Sequence, residues 1–293
     1  MKKLEKNICK AHGIEGEKWL QSLPSIIKNC AQHWQLTGIQ AVQNMTWNYV
    51  AKAVNNKNKA VVLKIGFDEK SIADEARALS HFCGNGVVKL IDYNTQYNVL
   101  LLPHAQPGNS LKTIYPAHIE KTMDAYVKVI KTLMHPAQSG KSKFVHVSRW
   151  LQSLDTVNSE KFPKNLLEHA ISLKNKLLAT SNPEYILHGD LHLDNILSND
   201  DSWIAIDPKG AVGPIEFEVA WFDFATDEEM NYPDITKIFE KRVSLLASKM
   251  NIDSTQLKNW VFIRLALAAC FMIEDGGDIE IFLKKIYTYF PKI

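Results

Sequence analysis

The sequence predicts an α+β protein in two parts, the first rich in sheet and the second mostly helical. Three observations predict it. Strand patterns recur between Ile39 and Leu102, helical periodicity takes over from Ser110, and a Pro/Gly stretch, Pro103-His104-Ala105-Gln106-Pro107-Gly108, separates them. The expected division is 1–103, a hinge at 104–108, and 109–293.

The elements follow in chain order. Residues 1–35 are polar, but Trp19, Leu20, Leu23, Ile26, Ile27, Cys30 and Trp34 recur at three-to-four spacing, which predicts one or two amphipathic helices. The segments 39–54 and 60–65 read as strands flanking the polar turn Asn55–Lys59, a hairpin signature. A second turn, Gln43–Trp47, interrupts the first of them and contains no glycine. Lys64 lies in the apolar strand Val61–Ile65. A lysine there is either paired in the interior or on an edge strand with its amine in water. The next helix, predicted over 68–82, offers Glu69, Asp74 and Glu75 as partners. Gly84-Asn85-Gly86 is a turn, and 87–91 and 98–102 read as two more strands. After the hinge, helices are predicted at 119–134, 147–156, 163–179, 235–249 and 254–272, with a break at Ser181-Asn182-Pro183 and a cap at Glu274–Gly277.

The stretch Ile186–Gly210 carries the chemistry. Between Asp190 and Asn195 the chain is too short for an element of its own, so a loop brings a carboxylate and an amide to one place. Trp203–Ile206 is a short strand that delivers Asp207. One carboxylate, Asp190, can accept a proton from an attacking hydroxyl. The amide oxygen of Asn195 and the carboxylate of Asp207 can hold Mg²⁺, a hard cation that takes oxygen ligands. The same letters, His188, Asp190 and His192, also spell three metal ligands on one strand face. A metallohydrolase, however, would want further clusters, and the other histidines are scattered singly.

Composition is that of a soluble globular chain: 293 residues, 46% hydrophobic and 23% charged. A net charge of +2 gives no nucleic-acid surface. Cys9, Cys30, Cys83 and Cys270 form no CxxC and read as reduced thiols of a cytoplasmic protein. The basic N-terminus lacks the apolar run of a signal peptide. The longest apolar run, Val261–Ile273, is interrupted by Arg264 and too short to span a bilayer, so a buried helix is expected and no membrane partner. Oligomeric state is not legible.

His188, Asp190, Leu191 and Asn195 match the kinase catalytic loop H-x-D-L-x-x-x-N, and Asp207-Pro208-Lys209-Gly210 stands where a DFG-like metal aspartate belongs. The pair resembles the aminoglycoside phosphotransferase branch of the protein-kinase-like fold, in which HGD replaces HRD. The wording IDPKG, followed by Gly213-Pro214 and Glu218-Val219-Ala220, resembles its streptomycin 6-phosphotransferase and hydroxyurea phosphotransferase subfamily. The resemblance implies a bilobal protein-kinase-like fold and transfer of the ATP γ-phosphoryl to a small-molecule hydroxyl with Mg²⁺. It implies Lys64 on the nucleotide phosphates with Glu75 as its partner, since Glu75-Ala76-Arg77-Ala78-Leu79 fits the family pattern E-A-x-A-L. It places the nucleotide-covering loop at Gln43–Trp47, with Thr46 and Asn48 as side-chain donors, and the adenine contacts at His104 and Ala105.

A streptomycin-like acceptor is a polycation and wants carboxylates. Glu216, Glu218 and Asp223 follow the metal aspartate, and Glu274, Asp275 and Asp278 cluster after the apolar helix. Glu218 has a second reading, a strut beneath the catalytic loop. Asp194, beside Asn195, is read as fixing that loop. Three alternatives stay open: a kinase of another small alcohol or amino sugar, a catalytically inactive nucleotide-binding protein, and a protein kinase. The last would need an activation segment, for which the few residues between Asp207 and Gly213 leave little room.

Overall fold

Five strands pair antiparallel in the sheet of the first part of the chain. In the computed structural model, which describes residues 1–137, 143–157, 160–180 and 183–291, the chain divides into two units. The first is Met1–Asn109 with Ser198–Lys209, the second Ser110–Leu197 with Gly210–Ile293.

The first unit begins with helix α1 (Lys2–His33), broken at Gly13, whose φ of 50° and ψ of −130° are not helical. Leu4 and Ile8 of one segment and Leu23, Ile26 and Cys30 of the other enter the same core as Tyr49, Ala51 and Leu63 of the sheet. The strands are β1 (Thr37–Ala41), β2 (Asn48–Val54), β3 (Ala60–Gly66), β4 (Asp92–Asn94) and β5 (Val99–Pro103), in the order β1-β2-β3-β5-β4. β3 is therefore central, and Lys64 sits opposite Val50 on one side and Leu100 on the other. Helix α2 (Glu69–Phe82) starts at Asp68, whose side chain accepts from the Lys70 N–H. Gly66 lets this helix come close, because a Cβ there would lie 2.3 Å from Ile72 Cγ1.

The segment 87–91, predicted as a strand, is not one. Val87 makes a single parallel bridge to Ala205, and the Val88 N–H donates to the Ala205 carbonyl at 2.9 Å. Val87 and Val88 are buried, whereas Ile91 is exposed and only its N–H reaches the first sheet, at the Leu101 carbonyl. Ala205 belongs to a small sheet of β6 (Pro107–Ser110), β10 (Ile196–Asn199) and β11 (Ser202–Ala205), with β10 in the middle.

The second unit contains α3 (Ile119–Leu133), α4 (Val147–Trp150), α5 (Ser153–Thr156), α6 (Lys164–Thr180), α7 (Ile215–Val219), α8 (Ile235–Met250), α9 (Ser254–Glu274) and α10 (Glu280–Tyr289). The single helix expected over 147–156 is two short turns separated at Leu151-Gln152. Ser181 and Asn182 of the expected break lie outside the described residues. A sheet was missed: β7 (His135–Pro136), β8 (Val145–His146), β9 (Glu184–Leu187) and β12 (Ala211–Pro214) pair in the order β7-β9-β12-β8. Strands of two to four residues are too short to show a period. α9 is long and apolar enough to cross a membrane by length and composition, and its Trp260–Leu267 stretch is buried within the unit, Arg264 included.

Candidate active site

Each unit holds one cluster of the residues singled out above. In the first, Lys64 Nζ lies 2.6 Å from Glu75 Oε2 and 2.7 Å from Asp207 Oδ1. Lys64 and Glu75 are only 7% and 3% exposed, so this is an interior pair and not an edge lysine in water. The helical stripe explains the choice among the three acids. Glu75 shares the buried face with Ile72 and Leu79, whereas Asp74 turns outward and pairs with Arg77. Asp207 has φ of 62°, a left-handed conformation that Asp tolerates better than most residues. Lys209, two residues on, reaches the same Asp207 Oδ1 at 3.1 Å.

Burial is the largest influence on the Glu75 carboxyl and pushes it up to about 7, even against the nearby Lys64 ammonium. For Asp207, burial also opposes the charge, but the two ammonium groups outweigh it and hold the carboxyl far below the usual range. The sign of the Glu75 effect follows from linkage. Between the ordinary carboxyl range and about 7 the folded protein binds a proton that the unfolded chain does not, so this group's contribution to stability falls as pH rises through that window. Glu75→Gln should remove that slope. Urea midpoints of parent and variant at pH 5 and pH 7.5 check it, and a parent that does not weaken relative to the variant across that interval contradicts the assignment.

The glycine-free turn Gln43–Trp47 is tied down by α1, where Asn7 Nδ2 donates to the Thr46 carbonyl at 3.1 Å. Thr46 is exposed and Asn48 half-buried. At the expected hinge the His104 N–H donates to the Ala60 carbonyl, while no hydrogen bond among the described residues engages the Ala105 N–H or carbonyl. An adenine edge would need such a free pair.

In the second unit the loop His188–Asn195 is caged. Gly189, with φ of 90°, makes the turn out of β9. Glu218 of α7 accepts from the Gly189 N–H at 2.8 Å through Oε2 and from the Leu191 N–H at 3.3 Å through Oε1. Glu218 is buried and each of its oxygens accepts a backbone N–H of the loop, the arrangement that its reading as a strut requires. Asp223 Oδ2 accepts from the Leu193 N–H at 3.3 Å. Asp194 pairs with Lys112 at 3.0 Å and accepts from Ser110 Oγ at 3.2 Å, which fixes the loop's outer side. Asn195 Nδ2 donates to the Asp190 carbonyl at 2.9 Å and leaves its amide oxygen, the atom a hard cation takes.

Three residues that the sequence reading did not single out complete the cage. Trp221 Nε1 donates to Asp190 Oδ1 at 2.9 Å. Tyr126 Oη donates to the Leu191 carbonyl at 3.0 Å. Arg264 Nη2 lies 3.4 Å from the Gly189 carbonyl, and its guanidinium stands 4.2 Å from the Phe217 ring centre and 4.4 Å from that of Trp221. The one available signal was an arginine inside an otherwise apolar helix, which asks for a buried partner.

Beside the loop is a pocket of about 170 Å³ lined by His192, Trp221, Asp223, Phe224, Lys285 and Tyr289 among others. Asp223 is the single member of the six candidate acceptor acids in that lining. Glu216 is half-buried elsewhere on α7, and Glu274 and Asp275 are exposed at the end of α9. His188, Asp190 and His192 do not form a ligand set, and among the described residues no group of three His, Cys, Asp or Glu side chains is placed to hold a metal. A metallohydrolase site is thereby set aside. Mg²⁺ held by one carboxylate, one amide and nucleotide phosphates needs no such group, and the donor types of Asp207 and Asn195 fit it.

The family model for aminoglycoside/hydroxyurea antibiotic resistance kinases matches residues 33–276. Streptomycin 6-kinase of Streptomyces glaucescens is 25% identical over 94% of this chain and 91% of its own. Hydroxyurea phosphotransferase of Kitasatospora aureofaciens is 23% identical over 90% and 77%. Among solved structures, an aminoglycoside phosphotransferase in complex with ADP and hygromycin B aligns with a TM-score of 0.65 at 11% identity, covering 90% of this chain and 95% of that one. Choline kinase of Streptococcus pneumoniae aligns at 0.63 and 13%, covering 91% and 96%. These likenesses establish the bilobal protein-kinase-like fold, and the curated relatives establish a phosphotransferase with a hydroxyl acceptor. The chain belongs to the aminoglycoside/hydroxyurea antibiotic resistance kinase family.

Proposed function

We propose that the protein transfers the γ-phosphoryl group of ATP, with Mg²⁺, to a hydroxyl of a cationic aminoglycoside of the streptomycin type. The observation that carries this reading is the Asp190 carboxylate, held through one oxygen in a caged loop with the other free of any hydrogen-bond donor among the described residues. Asp190 accepts the hydroxyl proton and orients the oxygen for in-line attack. Lys64, kept in place by Glu75, neutralises phosphate charge. Asn195 and Asp207 would hold Mg²⁺ through their side-chain oxygens. When bound, Mg²⁺ offsets charge on the β- and γ-phosphate oxygens. Thr46 and Asn48 give hydroxyl and amide donors to the phosphates, and His104 and Ala105 offer backbone groups to the adenine. Catalysis of this kind is positioning and electrostatics, which suits a loop with so little freedom. The presence of all four core groups disfavours an inactive nucleotide-binding protein. A cytoplasmic location is consistent with four free cysteines.

On the acceptor side, the Asp223 carboxylate in the pocket lining suits an ammonium or guanidinium group. Glu216, Glu274 and Asp275 are left as outer contacts for a larger polycation. A second reading has its own observation. The pocket of about 170 Å³ is below the roughly 300–1,000 Å³ usual for drug-sized ligands, and Lys285 sits in its wall, which favours a smaller acceptor such as an amino sugar or hydroxyurea.

An ATP-consumption screen over aminocyclitols, aminoglycosides and hydroxyurea with Mg²⁺ decides between them. For a polycation, Asp223→Asn should raise the acceptor KM about thirtyfold or more while the ATP KM holds, the low end of the roughly 2–5 kcal/mol lost when one partner of a desolvated charge pair is truncated. The parent's acceptor KM should also climb with salt. An acceptor KM indifferent to both salt and Asp223 leaves the neutral acceptor.

A further inference from the structure

Trp221 occupies two places at once. Its Nε1–H donates to Asp190 Oδ1 at 2.9 Å, and its ring lines the pocket that also holds Asp223 and His192. Behind it, the guanidinium of Arg264 stands 4.4 Å from the indole centre, with Phe217 on its other contact at 4.2 Å. Arg264 is buried, so this stack is not a surface accident; its Nε has no hydrogen-bond partner, and the ring faces are what the cation rests on. Glu218 holds the backbone on both sides of Asp190. The main chain of Asp190 is thus fixed from below, and rotation of its carboxylate is fixed by Trp221 alone among the described residues.

We propose that Trp221 is a positioning residue: its indole N–H engages Oδ1 of Asp190, so that Oδ2 is the oxygen that meets the acceptor's hydroxyl, while the same ring bounds the acceptor pocket. This deepens the proposed function and rests on Asp190 being the base. In the step concerned, the acceptor O–H bond breaks, its proton passes to Oδ2, its electron pair forms the new O–P bond, and the bond from the γ-phosphorus to the β-phosphate oxygen breaks to release ADP. A carboxylate free to rotate would spend part of its time with neither lone pair on the hydroxyl.

The N–H can be removed without the ring. Replacing Trp221 by β-(3-benzothienyl)alanine keeps the bicyclic shape and deletes the donor; Trp221→Phe is the genetically simpler variant. With streptomycin and hydroxyurea as acceptor probes, the benzothienyl protein should lose about tenfold to a hundredfold in kcat, the range of one hydrogen bond to a charged group, with both KM values within threefold of the parent. Trp221→Ala should add a rise in acceptor KM, because the pocket wall goes as well. An unchanged kcat in the benzothienyl protein, or kcat and acceptor KM shifting together, overturns the proposal. A second measurement needs no turnover. The indole ¹⁵N–¹H resonance that vanishes in Trp221→Phe should exchange with solvent at least tenfold faster in Asp190→Ala, and an unchanged exchange rate also overturns it. Asp190→Asn is assayed in parallel. If that variant is inactive and the benzothienyl protein is fully active, only the role of Trp221 falls; if Asp190→Asn turns over normally, the base assignment falls and this inference with it.

Discussion

Asp190→Asn is expected to lower turnover by about 10²- to 10⁴-fold, the usual worth of a positioned general base. The amide keeps the size of the carboxylate and can still meet the Trp221 indole through its oxygen, so the loop should hold its shape. The main-chain bonds to Glu218 and the Asn195 bond to the Asp190 carbonyl do not involve the side chain at all. Thermal midpoint and ATP affinity should therefore stay near the parent while kcat collapses. Isothermal titration with a non-hydrolysable nucleotide, beside steady-state kinetics, separates the two. Turnover within a few-fold of the parent would show that Asp190 does not take the proton.

Lys64→Met should act on stability and turnover together. It leaves Glu75 in the interior with no cation at 2.6 Å, and breaking a buried pair from one side costs about 3–5 kcal/mol. Because burial already pushes the Glu75 carboxyl up to about 7, protonation can relieve the variant in acid, and the deficit should be larger at pH 8 than at pH 6. Adding Glu75→Leu to Lys64→Met should recover part of the loss, since residues in one network are non-additive by about 0.5–3 kcal/mol. Urea unfolding of the four proteins at both pH values measures this. A Lys64→Met protein as stable as the parent at pH 8 would mean that the pair contributes nothing net. Turnover should remain poor in both lysine variants, because Lys209 stays beside Asp207 but neither variant restores the ammonium of Lys64.

What the sequence made legible was local. Asp190, Asn195 and Asp207 are close in the chain, so type, order and spacing could be checked together. Lys64 stood out as one cation in an apolar strand, and its interior partner narrowed to three acids on the next helix. The rest depends on contacts that no short window contains. Trp221 meets Asp190 across 31 positions, and Arg264 meets Gly189 across 75. The loop N–H groups that Glu218 accepts from lie 29 and 27 positions away. The segment 87–91 has the composition of a strand, yet Val87 and Val88 lie against Ala205, a neighbour far away in sequence. The four-stranded sheet was invisible because its strands are shorter than the period they would need to display.

The chain leaves one unit for the other after Asn109, after Leu197 and after Lys209. The gene is therefore not modular in the way a two-unit protein suggests. A coding fragment ended at the hinge would carry Lys64 and Glu75 but neither Asp207 nor Lys209, and would strip Val87 and Val88 of the strand that covers them. Recombination at the hinge alone cannot hand the complete ion cluster to a new partner. The shortest cassette with the whole cluster omits residues 110–197 and joins Ser198–Lys209 directly behind Asn109.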